Sequence, residues 1–204
     1  SRGWFDLTLD GAESSSLLAL IGAADRLRGP MDLRIRGNLG REWRGTGTAD
    51  LGRGAVLGAE VSEWNIPFTL AYSPEQGRGE IRFSESGAQV GGGRARGRGE
   101  ASWGETSRVQ AVVTFSEASL KALSGLLGDV SAYARGRVTG RVDLSGDLDT
   151  EKGLAAEVRA SLSEAQALQL PILRVLTPFL GPGQSATVFR KGEVRGHLAG
   201  GVFR

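Results

Sequence analysis

The chain has 204 residues, 40% hydrophobic and 24% charged, which is enough apolar material for a folded core and excludes a disordered polyelectrolyte. It holds 32 glycines and no cysteine, so disulfides, thiolate catalysis and cysteine-based metal sites are excluded; a helical bundle is disfavoured, because each interior helical glycine costs ~1 kcal/mol against alanine. A net charge of +2 is too small to argue for nucleic acid, and the one histidine, His197, cannot make a two-histidine relay or a histidine-rich metal site.

Period-two alternation opens the chain: Phe5, Leu7 and Leu9 alternate with Asp6, Thr8 and Asp10, the pattern of a strand with one wet and one dry face. Segment 13–27 breaks that period. Leu17, Leu18, Ile21 and Ala24 share a helical face there and Ser14–Ser16 offer N-caps, which predicts a helix. Alternation resumes with Leu33 and Ile35 between Asp32, Arg34 and Arg36. It returns with Ile66, Phe68, Leu70 and Tyr72, interleaved with Pro67, Thr69, Ala71 and Ser73. Ser73-Pro74-Glu75-Gln76-Gly77 then reads as a hairpin turn, leading to Ile81 and Phe83 between Glu80, Arg82 and Ser84. A second helix is predicted over 117–128, with Leu120, Leu123, Leu126 and Leu127 on one face and Ser116 as its cap. Val138, Val142 and Leu144 alternate with Arg137, Thr139, Arg141 and Asp143, and a hairpin-like stretch follows around Ser145–Gly153. A third helix is predicted over 170–180, where Ile172, Leu173, Leu176 and Phe179 follow Pro171 and Pro178 should end or kink it. Alternation of this kind marks antiparallel sheet with one solvated face; buried parallel strands read as unbroken Val/Ile/Leu runs.

These features repeat. At an offset of 106, Leu7 matches Val113, Leu9 matches Phe115, Ala12 matches Ala118, Leu17 matches Leu123, Ile21 matches Leu127 and Gly22 matches Gly128. After a three-residue shift, Asp32–Asn38 matches Arg141–Asp147. The expected organisation is a first β unit over 1–108 with helix 13–27 and a second over 109–204 with helices 117–128 and 170–180, joined as one continuous sheet.

Three stretches resemble the AsmA-like family of bacterial envelope proteins, to which the TamB group is related. Ala88-Gln89-Val90-Gly91-Gly92-Gly93-Arg94-Ala95-Arg96-Gly97-Arg98-Gly99-Glu100 is similar to its Gly-Gly strand pair. Ala134–Gly146 resembles the glycine-punctuated strand that follows a short Leu-rich helix in that family. Val158–Phe203 resembles its closing unit, with Pro171-Ile172-Leu173 inside a Leu-rich segment. The resemblance implies a mainly β fold, an antiparallel sheet curled lengthwise into a trough (a β-taco) with an apolar inside. It also implies a periplasmic body anchored to the inner membrane, and a part in phospholipid transport or outer-membrane assembly. No apolar run here reaches the ~18–20 residues of a spanning helix. The chain opens on Ser1-Arg2-Gly3 without a start Met, so the anchor is expected in a segment not included. The many arginines also depart from the family pattern.

Other constellations are weaker. The glycines of 91–99 lack the Gly-Lys-Ser/Thr ending of a phosphate loop, and no helix follows Gly99. Arg94, Arg96 and Arg98 resemble an arginine-glycine RNA tract. Their spacing of two nevertheless puts them on one wet strand face, one that also suits anionic headgroups. Asp143, Asp147 and Asp149 surround a turn, where Asp is favoured for backbone reasons. Ala118 sits where a Ser-x-x-Lys pair ending at Lys121 would need its serine. Trp4, Trp43, Trp64 and Trp103 suit sheet-edge packing or an interfacial belt.

The expectation is therefore a non-enzymatic, cofactor-free protein. An open one-sided sheet must cover its dry face, and acyl chains suit the part that helices leave bare. The groove residues expected to face inward are Leu33, Ile35, Ile66, Phe68, Leu70, Ile81, Phe83, Val113, Phe115, Val138, Val142 and Leu144. Phospholipid and the inner membrane are the expected partners, with an outer-membrane or envelope protein as a further one; nucleic acid is not expected. The alternative reading is a structural scaffold for outer-membrane protein assembly.

Overall fold

The computed structural model describes residues 3–15, 27–56, 59–123, 134–147, 149–150, 153–167, 188–199 and 202–203. Its strands are β1 (Gly3–Glu13), β2 (Leu27–Arg28), β3 (Pro30–Leu39), β4 (Trp43–Val56), β5 (Ala59–Ser73), β6 (Arg78–Val90), β7 (Gly93–Trp103), β8 (Arg108–Ser119), β9 (Ala134–Asp147), β10 (Leu154–Ala167), β11 (Val188–Ala199) and β12 (Val202–Phe203). All belong to one open antiparallel sheet in the order β1-β3-β4-β5-β6-β7-β8-β9-β10-β11-β12, with β2 paired to the end of β4. This is the mainly β class expected from the alternation.

The two rims of the sheet differ. At one rim the strands join through short polar connections, Gly40–Glu42, Pro74–Gly77 and Gly104–Ser107, and β9 meets β10 there, with Asp147 N–H donating to Gly153 O at 3.1 Å. In the Pro74–Gly77 turn, Gln76 N–H donates to Ser73 O and Gly77 adopts φ +60°, which suits a residue without a Cβ. At the opposite rim β1, β4, β6, β8 and β10 end and β3, β5, β7, β9 and β11 begin, with Gly91–Gly92 as the short link between β6 and β7.

The bulges cluster toward that second rim. Register shifts occur between Leu9 and Ala12, Ser62 and Asn65, Phe83 and Ser86, Phe115 and Ala118, and Ser163 and Gln166. Four of these sites hold a residue with positive φ: Gly11 (61°), Glu63 (51°), Glu117 (56°) and Glu164 (52°). Each extra residue breaks the ladder locally, bends the strand and sharpens its twist, so curvature is concentrated along one rim.

Burial follows the same gradient. The best-covered residues include Leu27, Met31, Leu51, Ala59, Val61, Val90, Ala118, Leu120 and Leu123, all near the bulged rim. Toward the hairpin rim the apolar side chains are half-buried or, at Trp4, Leu7 and Trp43, exposed.

The helix predicted over 117–128 is corrected at its start. Glu117–Ser119 finish β8, because Ala118 pairs with Val138 and Ser119 with Arg137 on β9. A single turn follows, in which Leu123 N–H donates to Ser119 O (3.3 Å) and Leu120 O (3.2 Å). The ends of the helix predicted over 13–27 are likewise strand: Glu13 pairs with Pro30 and Leu27 with Val56. Residues 16–26, 124–128 and 170–180, which carry the rest of the three predicted helices, lie outside the described residues.

Candidate functional site: a one-sided apolar sheet

Cross-strand register assigns the apolar side chains to one face. Leu9 is opposite Leu33 and Leu7 opposite Ile35; Ala49 is opposite Ile66 and Gly47 opposite Phe68. Phe68 is opposite Phe83 and Leu70 opposite Ile81. Val113 is opposite Val142, Ala111 opposite Leu144 and Ala118 opposite Val138. All twelve groove residues named from sequence thus share this face. Phe68 and Val138 are buried, each 7% exposed; the other ten are half-buried. A lone open sheet cannot enclose its dry face, and the half-buried state of Leu70, Ile81, Val142 and Leu144 is the result.

Glycines shape that face where aromatic rings lie across it. A Cβ on Gly47 would sit 2.6 Å from Phe68 Cζ, and one on Gly37 would sit 2.7 Å from Phe5 Cε1. The Trp103 indole covers Gly79 in the same way. These rings occupy the space that a side chain would otherwise fill on the neighbouring strand.

β7 is the barest strand of the face. Its apolar-side residues are Gly93, Ala95, Gly97, Gly99 and Ala101, ending at Trp103. Larger side chains flank it: Ile81, Phe83 and Val90 on β6, Val113 and Phe115 on β8. Toward the bulged rim this leaves an apolar cleft of about 240 Å³ bounded by Val61, Trp64, Val90, Ala95, Phe115 and Leu123. That volume is below the ~300–1,000 Å³ of most small-molecule pockets, which suits a slender chain better than a folded ligand. Ser86 and Arg96 are the polar residues that also line the cleft, and the Ser86 hydroxyl donates to Gly97 O at 3.1 Å.

Residues 59, 61, 64, 88, 90, 95 and 123 were not among the groove residues named from sequence. The signal for several of them is a phase switch. Ala59 and Val61 sit at odd positions, Trp64 and Ile66 at even ones; Ile81 and Phe83 are odd, Ser86, Ala88 and Val90 even. Each switch marks a bulge that keeps both halves of the strand facing the same side.

The opposite face carries the charges. Its ion pairs are exposed, many between positions two apart on one strand: Arg141–Asp143 (2.5 Å), Arg159–Glu157 (2.5 Å) and Arg82 with Glu80. The Arg141 hydrogen bond holds the Asp143 carboxyl below its ordinary range, and Asp143 in turn raises Arg141. Asp149 is lowered by hydrogen bonds from the Ser107 hydroxyl and backbone N–H, the latter at 2.7 Å. The three aspartates therefore serve a strand pair and a turn: Asp147 accepts from Asp149 N–H at 2.8 Å. Among the described residues no group of three or more His, Cys, Asp or Glu could hold a metal ion. His197 is exposed on the charged face, opposite Glu157.

The tryptophans divide. Trp64 packs against the core and Trp103 lies over Gly79, whereas Trp4 is 77% exposed on the β1 edge. Trp43 meets Tyr72 edge to face, with ring centroids 5.6 Å apart. Among the described residues no helix is long and apolar enough to cross a membrane.

No protein-family model, curated protein or solved structure matches the chain.

Proposed function

We propose that this chain is a passive lipid-handling module of a bacterial cell envelope, AsmA-like in kind, that lays phospholipid acyl chains along the apolar face of its sheet. The observation that carries this reading is the unbroken apolar face of an open sheet, half-buried over much of its area, with a bare Gly/Ala strip along β7. Each methylene taken out of water contributes ~0.8 kcal/mol, so even a short length of acyl chain gains from that strip. Headgroups stay at the wet rim, and no step requires a catalytic group or a cofactor. The resemblance of Ala88–Glu100 and Ala134–Gly146 to AsmA-like strands supports the same reading. It carries with it a periplasmic body, an inner-membrane anchor supplied by another segment, and a contribution to outer-membrane homeostasis.

The test is lipid extraction and mass spectrometry of the purified protein. Phospholipid should co-purify, and Phe68→Asp and Val142→Asp should reduce it. Because buried charges can unfold the sheet, Ala95→Phe is the companion variant. It fills the strip over β7 without adding a charge and should displace lipid while circular dichroism stays unchanged. Absence of phospholipid, or equal amounts in all variants, rejects the reading.

A second reading, a scaffold that pairs with partner strands, is favoured by the β1 edge. Among the described residues no strand pairs with the outer side of that edge, which contains no Lys or Pro and exposes Trp4 (77%) and Leu7 (43%). Cross-linking at β1 to an unfolded outer-membrane β protein, without bound lipid, is the result that would select it.

A further inference from the structure

The charged face is not evenly mixed. Register places Arg96 on β7 opposite Thr114 on β8, Thr114 opposite Arg141 on β9, Arg141 opposite Arg159 on β10, and Arg159 opposite Arg195 on β11. One row across five strands therefore presents four guanidiniums, three of them on adjacent strands. Like charges directly opposite each other destabilise a sheet. Asp143, Glu157 and Glu193 offset this for Arg141, Arg159 and Arg195, each acid standing two residues away on the same strand.

On β7 the one acid in that relation, Glu100 two residues from Arg98, pairs instead with Arg82 of β6. Arg94, Arg96 and Arg98 are exposed and form no ion pair among the described residues. The cross-strand neighbours of Arg94 and Arg96 are uncharged on both sides, Gln89 and Gly87 on β6 and Ser116 and Thr114 on β8; Arg98 stands between Val112 on β8 and the Ser84–Glu85 bulge on β6. A shallow hollow of about 390 Å³ opens beside them, bounded by Arg96, Arg98, Arg141 and Thr114, with Glu85 at its margin. Six guanidiniums thus face four carboxylates within and beside the array, Asp143, Glu157, Glu193 and Glu85, an excess of two that equals the net charge of the whole chain.

We infer that this arginine array docks the protein on an anionic phospholipid surface. The array is two-dimensional. With strands ~4.8 Å apart and same-face residues ~6.7 Å apart, it covers roughly 19 by 13 Å, a patch rather than a line. Such a patch matches a plane of headgroups; a single nucleic-acid strand would engage one row. No Phe, Tyr or Trp stands among the described residues of this face from β7 to β10, so beside the β7 arginines bases would find no aromatic ring to stack on; the His197 imidazole lies four strands away on β11. Guanidiniums without acid partners are the ones free to pair with phosphate oxygens, which they do bidentately. This surface lies on the opposite side of the sheet from the apolar face and does not depend on lipid being held there.

The experiment is vesicle co-sedimentation of the whole chain with phosphatidylcholine vesicles and with phosphatidylcholine/phosphatidylglycerol vesicles, at low and high salt. Binding should require phosphatidylglycerol and weaken with salt. The triple variant R94Q/R96Q/R98Q should lose on the order of 100-fold in partitioning, the size expected for removing three basic residues from an anionic surface. Its urea midpoint should not fall, because those side chains make no ion pairs. Ala95→Phe should keep vesicle binding even where it empties the apolar face, which separates failure of this proposal from failure of the lipid-handling one. Equal binding to both vesicle types, an unaffected triple variant, or array-dependent binding to a single-stranded oligonucleotide but not to vesicles would each overturn the inference.

Discussion

Replacing Gly47 and Gly52 with alanine, one at a time, separates crowding from backbone freedom within a single strand. Both lie in β4. A Cβ at Gly52 meets nothing within 4 Å, whereas one at Gly47 would lie 2.6 Å from Phe68 Cζ, 3.1 Å from Cε1, and closer still to the Arg34 carbonyl. Phe68 is 7% exposed and stands opposite Phe83, so its ring cannot swing aside freely. Gly→Ala in a compatible backbone gains ~0.4–1 kcal/mol by restricting the unfolded chain. Overpacking a filled site costs ~1–3 kcal/mol. Gly52→Ala is therefore expected to be stabilising, and Gly47→Ala to be destabilising by about 1–2 kcal/mol. Because the entropy contribution is common to both, the gap between them measures the crowding alone. Urea unfolding followed by tryptophan fluorescence and far-UV circular dichroism reads it, provided the two probes give coincident transitions. A Gly47→Ala protein as stable as Gly52→Ala would refute the packing of Phe68 over β4. Adding Phe68→Ala should also cost less in the Gly47→Ala background than alone, by more than ~0.5 kcal/mol.

Three further outcomes are expected. Glu164 holds φ at +52° and is exposed, so Glu164→Gly should raise the urea midpoint, by about 0.5–1 kcal/mol in stability; a lower midpoint would count against the strain. Asp149 has a lowered pKa, so its hydrogen bonds to Ser107 stabilise the fold above the ordinary carboxylate range and are lost as pH falls through the lowered value. Asp149→Asn should thus be less stable than the native chain at pH 7, with the gap closing at strongly acidic pH; a pH-independent gap would reject this role. Ala95→Phe should lower co-purifying phospholipid without changing the circular dichroism spectrum, and mass spectrometry of the extract decides it.

The strands were legible because period-two alternation depends only on one face being drier than the other. Leu33, Ile35, Phe68, Ile81 and Val142 all lie on the face that their alternation predicts. What alternation could not show directly was the bulges, three of which hold a glutamate rather than a glycine at positive φ. Glu63, Glu117 and Glu164 have no local sequence signature for that conformation, and only the change of phase across them betrays it. The same effect explains the misread start of the 117–128 segment. Leu120 and Leu123 share a helical face, yet β9 offers Ala118 and Ser119 ladder partners first, and the strand runs on to Ser119. The cleft over β7 was hidden for a different reason: Gly93, Ala95, Gly97 and Gly99 carry almost no hydrophobic signal, and the site is defined by side chains that are missing.

The placement of the bulges also sets how such a sheet can grow. β1, β3, β4, β5, β6 and β7 make six strands before β8, so β8 runs in the same direction as β1. The positive-φ residues Gly11 and Glu117 consequently meet the same rim although 106 positions separate them. An even strand count preserves this polarity. A gained or lost hairpin would leave the links that follow β1 and β8 on their shared side, whereas a single added strand would send the second to the opposite side. Insertions in pairs are the ones this architecture can absorb.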